Sequence, residues 1–135
     1  MATQSFDWSE YHRVARELST HADECYLRTS ISRAYYYVFH LGRKRVEDNG
    51  FPLIKSDAHK QIWEKFNDSP DHRCRKLAET AKRLKAKREM ADYDPFYPRI
   101  ATDAPAVVAL AVQFATDLAR LDSAFPRNTG VQRTN

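Results

Sequence analysis

Glycine is almost missing from this chain, with three residues in 135, at positions 42, 50 and 130. Folds of many short strands need tight turns, and tight turns need residues that tolerate positive φ. So few breakers point to long helices instead. Cysteine is scarce as well. Cys25 and Cys74 are too few for a disulfide framework and have no metal-ligand spacing, so both read as reduced thiols. Long apolar runs are also lacking. The longest, Ala104 to Val112, falls far short of the roughly 20 residues that span a bilayer. The start, Met-Ala-Thr-Gln-Ser-Phe-Asp, has no basic stretch leading into an apolar one, so it does not read as a signal peptide. The expectation is a cytoplasmic protein with no membrane attachment, no metal site and no cofactor.

What is present is enough for one core. The hydrophobic share of 42% is near the globular norm. The chain has room for a single domain, expected over residues 1–125. The segment 126–135, ending Arg-Asn-Thr-Gly-Val-Gln-Arg-Thr-Asn, reads as a flexible polar tail.

Periodicity and caps divide the domain into five helices. The first is expected from Trp8 to Ser19, with Asp7 and Glu10 at capping-box spacing. Its apolar stripe is Trp8, Tyr11, Val14 and Leu18. The second is expected from Asp23 to Asp48 and stops at Asn49-Gly50. A short third helix after Ser56 or Asp57 aligns His59, Ile62, Trp63 and Phe66. The fourth is expected from Asp71 to Ala91, with Leu77, Ala81 and Leu84 inward. The fifth is expected to start after Asp103, with Pro105 in its first turn. Val107, Leu110, Phe114, Leu118, Leu121 and Phe125 form its stripe. Together they describe an all-α, compact up-and-down helical bundle.

The net charge of +4 is unevenly spread. Between Arg73 and Arg88 there are eight basic residues against one acid, Glu79, giving +7 and leaving −3 for the remainder. Such a run suits a polyanion such as RNA, with Lys82, Arg83 and Lys85 as candidate phosphate contacts. A solvated helix face is the alternative.

The second helix carries the chemistry. Leu27, Ile31, Ala34, Val38 and Leu41 fall on one arc of a helical wheel and face the core. Arg33 and His40, seven positions apart, lie within about 20° of each other and roughly 130° from that arc. Thr29, Tyr36, Tyr37 and Lys44 flank them. A solvated face would carry Glu and Lys instead. Phe39 also lies off the core arc, so the helix is apolar around most of its circumference. Such a helix is either central in its own domain or buried by a partner, and a homodimer through it is the economical expectation.

The run Arg28-Thr-Ser-Ile-Ser-Arg33-Ala-Tyr-Tyr-Tyr-Val-Phe-His40 resembles the HEPN superfamily (higher eukaryotes and prokaryotes nucleotide-binding). That superfamily's signature is Arg, four to six residues, then His. The small prokaryotic branch with Ser-Arg-Ala-Tyr-Tyr-x-x-Phe-His is the most similar. It also tends to carry a His opening a later short helix, here His59, and an Arg-x-x-Ala-Asp-Tyr motif, here Arg88 to Tyr93. The resemblance spans roughly Asp23 to Phe125. It implies a dimeric helical bundle with both motifs lining one cleft. In catalytic members it implies metal-independent cleavage of mRNA or tRNA, in toxin–antitoxin or antiphage-defence settings. Arg33 and His40 are then the catalytic pair, with Tyr36, Tyr37, Lys44 and Arg88 in support. Some members carry a Tyr two residues after the motif His, modified by a nucleotidyltransferase antitoxin. Here that position is Gly42, so neutralisation by that modification is not expected.

The residue types fit the chemistry. Attack of a ribose 2′-OH on phosphorus needs a proton acceptor near neutrality and a fixed cation for the growing charge. Each residue also has a structural alternative. His40 can be a hydrogen-bonded histidine at a dimer interface, and Arg33 can be half of an ion pair. Tyr36 and Tyr37 can simply pack. Arg88 falls on its helix's inward stripe and therefore needs a carboxylate, with Asp92 or Asp94 the expected partner. His59 reads as a core or capping residue, and His12, His21 and His72 as surface positions. A non-catalytic HEPN module holding a nucleotide, an RNA or a partner protein is the competing function.

Overall fold

The computed structural model describes residues 5–53 and 55–128. Its order is α1 (Ser9–Leu18), α2 (Glu24–Asp48), α3 (Ala58–Asn67), α4 (His72–Tyr93) and α5 (Ile100–Arg120), with a 3₁₀ turn at Lys55–Asp57 leading into α3. Among the described residues there are no strands, and the architecture is the expected all-α bundle.

Helix α2 is the hub. It packs against α1, α3, α4 and α5. Leu27, Ile31, Ala34 and Val38 are buried as the wheel requires, and Leu41 is partly buried. The helix ends where Asn49 caps it and Gly50 takes φ +84, the left-handed conformation that glycine adopts at little cost. Gly42 is small for a different reason. A Cβ there would stand 2.7 Å from Trp63 Cη2 and Cζ3, so only hydrogen lets α3 approach.

Two arginines of α2 close the other long helices. Arg28 donates to the carbonyls of Met90, Ala91 and Asp94, at the end of α4. Arg45 donates to those of Leu118, Asp122 and Phe125, at the end of α5. The last carbonyls of a helix have no intrahelical donor, and a cation also suits the negative end of the helix dipole.

Phe39 corrects the dimer argument. It is 7% exposed within the monomer and stacks on His59, with ring centroids 4.2 Å apart. The apolar excess of α2 is absorbed by its own domain, so it no longer argues for a second copy.

Three local expectations also change. Asp7 and Glu10 form no capping box: Asp7 accepts from the backbone N and Oγ of Ser9, while Glu10 pairs with Arg13. Helix α5 begins at Ile100, so Pro105 is its sixth residue rather than part of its first turn. The N–H that Pro105 lacks would have met the carbonyl of Ala101, and both residues are exposed to water. Asp103 is buried, accepting from Tyr97 Oη at 2.7 Å and Lys87 Nζ at 3.0 Å. Finally, Pro126 is buried and its carbonyl accepts from Asn49, while Asn128 donates to Gly50. The start of the expected tail is therefore tied to the end of α2, and residues 129–135 lie outside the described residues.

Candidate functional site

Arg33, Tyr36 and His40 follow one another at helical spacing along α2, all partly buried, and α1 leans over them. The Arg33 guanidinium carbon lies 4.5 Å from the ring centroid of Tyr11 and 5.3 Å from that of Tyr36. Among the described residues its one hydrogen bond is a long contact of 3.5 Å to Ser32 Oγ. Among the described residues no carboxylate pairs with it. Aromatic faces therefore position this cation without neutralising it.

His40 is covered on one face. Its ring stacks on Trp8 with centroids 3.3 Å apart and planes 6° from parallel, and Phe39 approaches edge-on at 5.0 Å. Burial, reinforced by the charges of Arg43, Arg33 and His59, lowers its pKa from 6.5 to about 4. At neutral pH the imidazole is uncharged, the form that accepts a proton.

A second imidazole faces the same region. Trp63 Nε1 donates to Tyr35 Oη at 3.1 Å, and Tyr35 Oη lies 2.7 Å from His59 Nδ1. An indole can only donate, so the phenol accepts from Trp63 and has its own proton available for His59 Nδ1. That direction pairs with neutral His59 in its Nε2–H tautomer. Burial, followed by the charges of Arg88 and Lys85, lowers its pKa as well. Its role is more specific than the core or capping one read from sequence.

Arg88 is 9% exposed and points inward as expected. It donates to Tyr36 Oη at 2.8 Å. Its Nε lies 3.3 Å from Asp92 Oδ2, close enough to pair but without hydrogen-bond geometry, so charge carries that contact. Asp92 is the partner; Asp94 offers its carbonyl to Arg28 instead. Through Tyr36, Arg88 is coupled to the Arg33 face.

The remaining candidates are not gathered there. Tyr37 turns towards His12, with ring centroids 5.3 Å apart, and burial followed by the charge of Asp7 raises its pKa. His12 is partly buried rather than on the surface, and its Nε2 has no hydrogen-bond partner among the described residues. Lys44 is 75% exposed and pairs with Asp48 at 2.9 Å. The basic trio of α4 divides. Lys85 lies near Glu89 and on the side of His59, Lys82 is exposed, and Arg83 faces α5.

Trp8 and Tyr11 are the site residues that sequence reasoning missed. Their i,i+3 spacing was read as a core stripe, which is only half their use. Among the described residues, no group of three or more His, Cys, Asp or Glu could hold a metal ion, and no helix is long and apolar enough to cross a membrane. Comparison with protein-family models, with curated proteins and with solved structures finds no match to this chain.

Proposed function

We propose that this protein is a metal-independent endoribonuclease of the HEPN type, acting on RNA at the Arg33–His40 face. The observation that carries the reading is an unneutralised guanidinium beside an uncharged imidazole on one partly buried surface. His40 takes the 2′-OH proton as the 2′-oxygen attacks phosphorus. The P–O5′ bond breaks, and O5′ leaves with a proton from an imidazole or water. Arg33 stabilises the charge that builds on the phosphorane oxygens. The products carry a 2′,3′-cyclic phosphate and a 5′-hydroxyl.

A neutral His40 suits the base better than the acid. His59 is held neutral as well, so the proton for O5′ comes from water or from His40 itself once it has taken the 2′-OH proton. A homodimer remains part of the proposal through the HEPN resemblance. An mRNA or tRNA substrate, and an antitoxin partner such as a nucleotidyltransferase-like protein, follow from the HEPN resemblance alone.

One observation favours the competing binding module. Trp8 lies flat on His40, as a structural histidine would allow. Incubating wild-type protein and His40→Ala with total RNA separates the two. Cleavage that disappears in the variant, with fold retained, supports the nuclease. Equal background in both samples supports the module.

A further inference from the structure

Helices α4 and α5 pack together and leave two cavities along one groove, away from Arg33 and His40. The first has a volume of about 300 Å³ and the second about 460 Å³. Arg73, Lys76, Thr80, Arg83 and Lys87 line their α4 wall. These positions step by three, four, three and four residues, which is one ridge of an α-helix. Arg120 adds a cation from α5, and Leu77 and Leu121 form a buried apolar floor in the first cavity.

The charge balance of this groove is what makes it informative. Lys76, Arg83 and Arg120 have no hydrogen-bond or ion-pair partner among the described residues, and all three are exposed. Two of the carboxylates in or beside the groove are paired with cations, whereas Asp117 meets only a neutral amide and Glu79, exposed one turn from Lys76 and Arg83, keeps its charge. Asp71 holds Arg73, Asp103 accepts from Lys87 and Tyr97, and Asp117 accepts from Gln113. The lining still carries five cations against two carboxylates, so the surplus is cationic. From Arg73 to Lys87 it runs fourteen residues, about 21 Å of helical rise. That length accommodates several phosphates of a strand.

We propose that the α4–α5 groove binds the phosphate backbone of a single RNA strand, holding it on a surface separate from the cleavage face. The chemistry is that of successive phosphodiesters meeting a row of cations along one helix ridge. The choice of RNA rests on the ribonuclease reading. The groove's affinity for a strand does not require cleavage. Lys82 and Lys85, on the opposite flank of α4, are outside it.

The test is binding of a fluorescent 2′-O-methyl oligouridylate, which lacks the attacking hydroxyl and so cannot be cut by this chemistry. Binding to it is independent of whether the protein is a nuclease. Wild type is compared with a Lys76→Glu, Arg83→Glu, Arg120→Glu variant. An Arg13→Glu, Arg16→Glu, Lys60→Glu variant carries the same change in net charge elsewhere on the exposed surface. Circular dichroism confirms that each is folded. The groove variant is expected to lose at least about tenfold in affinity, and its log–log salt slope is expected to fall by about 2, from three contacts at about 0.7 each. The control is expected to keep most of both. Equal losses in the two variants, or none in the groove variant, overturn the proposal. So does displacement of the strand by polyglutamate as readily as by unlabelled strand, which identifies an acidic protein segment as the occupant.

Discussion

Replacing Trp8 with alanine tests the coupling between α1 and the candidate base. In the wild type the indole covers one face of His40 at 3.3 Å, and burial is the leading cause of the imidazole's low pKa. Removing the indole admits water, so the His40 pKa is expected to rise. It stops short of 6.5 because Arg43, Arg33 and His59 still disfavour the charged form. The same shift makes a statement about stability. Between pH 6.5 and about 4 the unfolded chain binds a proton that folded His40 refuses. Wild-type stability therefore falls as pH drops through that window and is unaffected by this group above it. At face value the shift corresponds to about 3 kcal/mol. The ring is partly exposed, and solvent screening reduces this to about 1–2 kcal/mol. At neutral pH the variant loses the ring stack and partial burial, about 1–2 kcal/mol. It also loses less on acidification, so the two stability curves converge as pH falls. Imidazole NMR titrations with urea unfolding at several pH values measure both effects. A wild-type His40 that titrates near 6.5, or a pKa unchanged by Trp8→Ala, refutes the reasoning.

Other consequences follow from named contacts. Arg33→Lys replaces a forked cation with a point charge and should lower RNA cleavage at least about a hundredfold, read from single-turnover rates; near-wild-type rates would remove Arg33 from the chemistry. Gly42→Ala drives a methyl into Trp63 and should cost about 1–3 kcal/mol by urea unfolding, whereas a neutral result would mean α3 sits less tightly than described. Arg88→Met leaves Tyr36 and Asp92 without their cation and should destabilise by about 1–3 kcal/mol. Unchanged stability in that variant would show that the contact carries no net energy.

The parts of the fold that could be read in advance are those set by local chemistry. Asp71 caps α4 with its side chain, and Asn49-Gly50 ends α2, because caps and positive-φ turns act within a few residues. The start of α5 could not be read this way. Asp103-Ala-Pro105 looks like a cap followed by a first-turn proline, but the Asp103 carboxylate is claimed by Tyr97 and Lys87 in the folded chain. Phe39 misled for a related reason. Its position on α2 shows that something covers it, but only packing reveals that His59 of the same chain does so. The Arg33–His40 face was legible from the wheel, since seven residues make nearly two full turns. Its aromatic cover was not, because Trp8 and Tyr11 reach it through the angle at which α1 crosses α2. His59 is tied to Trp63 through Tyr35, a chain of contacts that no spacing encodes.

The most direct test of the central claim is the nature of the RNA ends. Purified protein is incubated with RNA in excess EDTA, and the products are probed for their termini alongside those from repurified His40→Ala. The account predicts cleavage undiminished by EDTA, with 2′,3′-cyclic phosphate and 5′-hydroxyl ends, and none above background in the variant. Cleavage that needs a divalent cation, leaves 5′-phosphates, or persists at the wild-type rate in His40→Ala would contradict it.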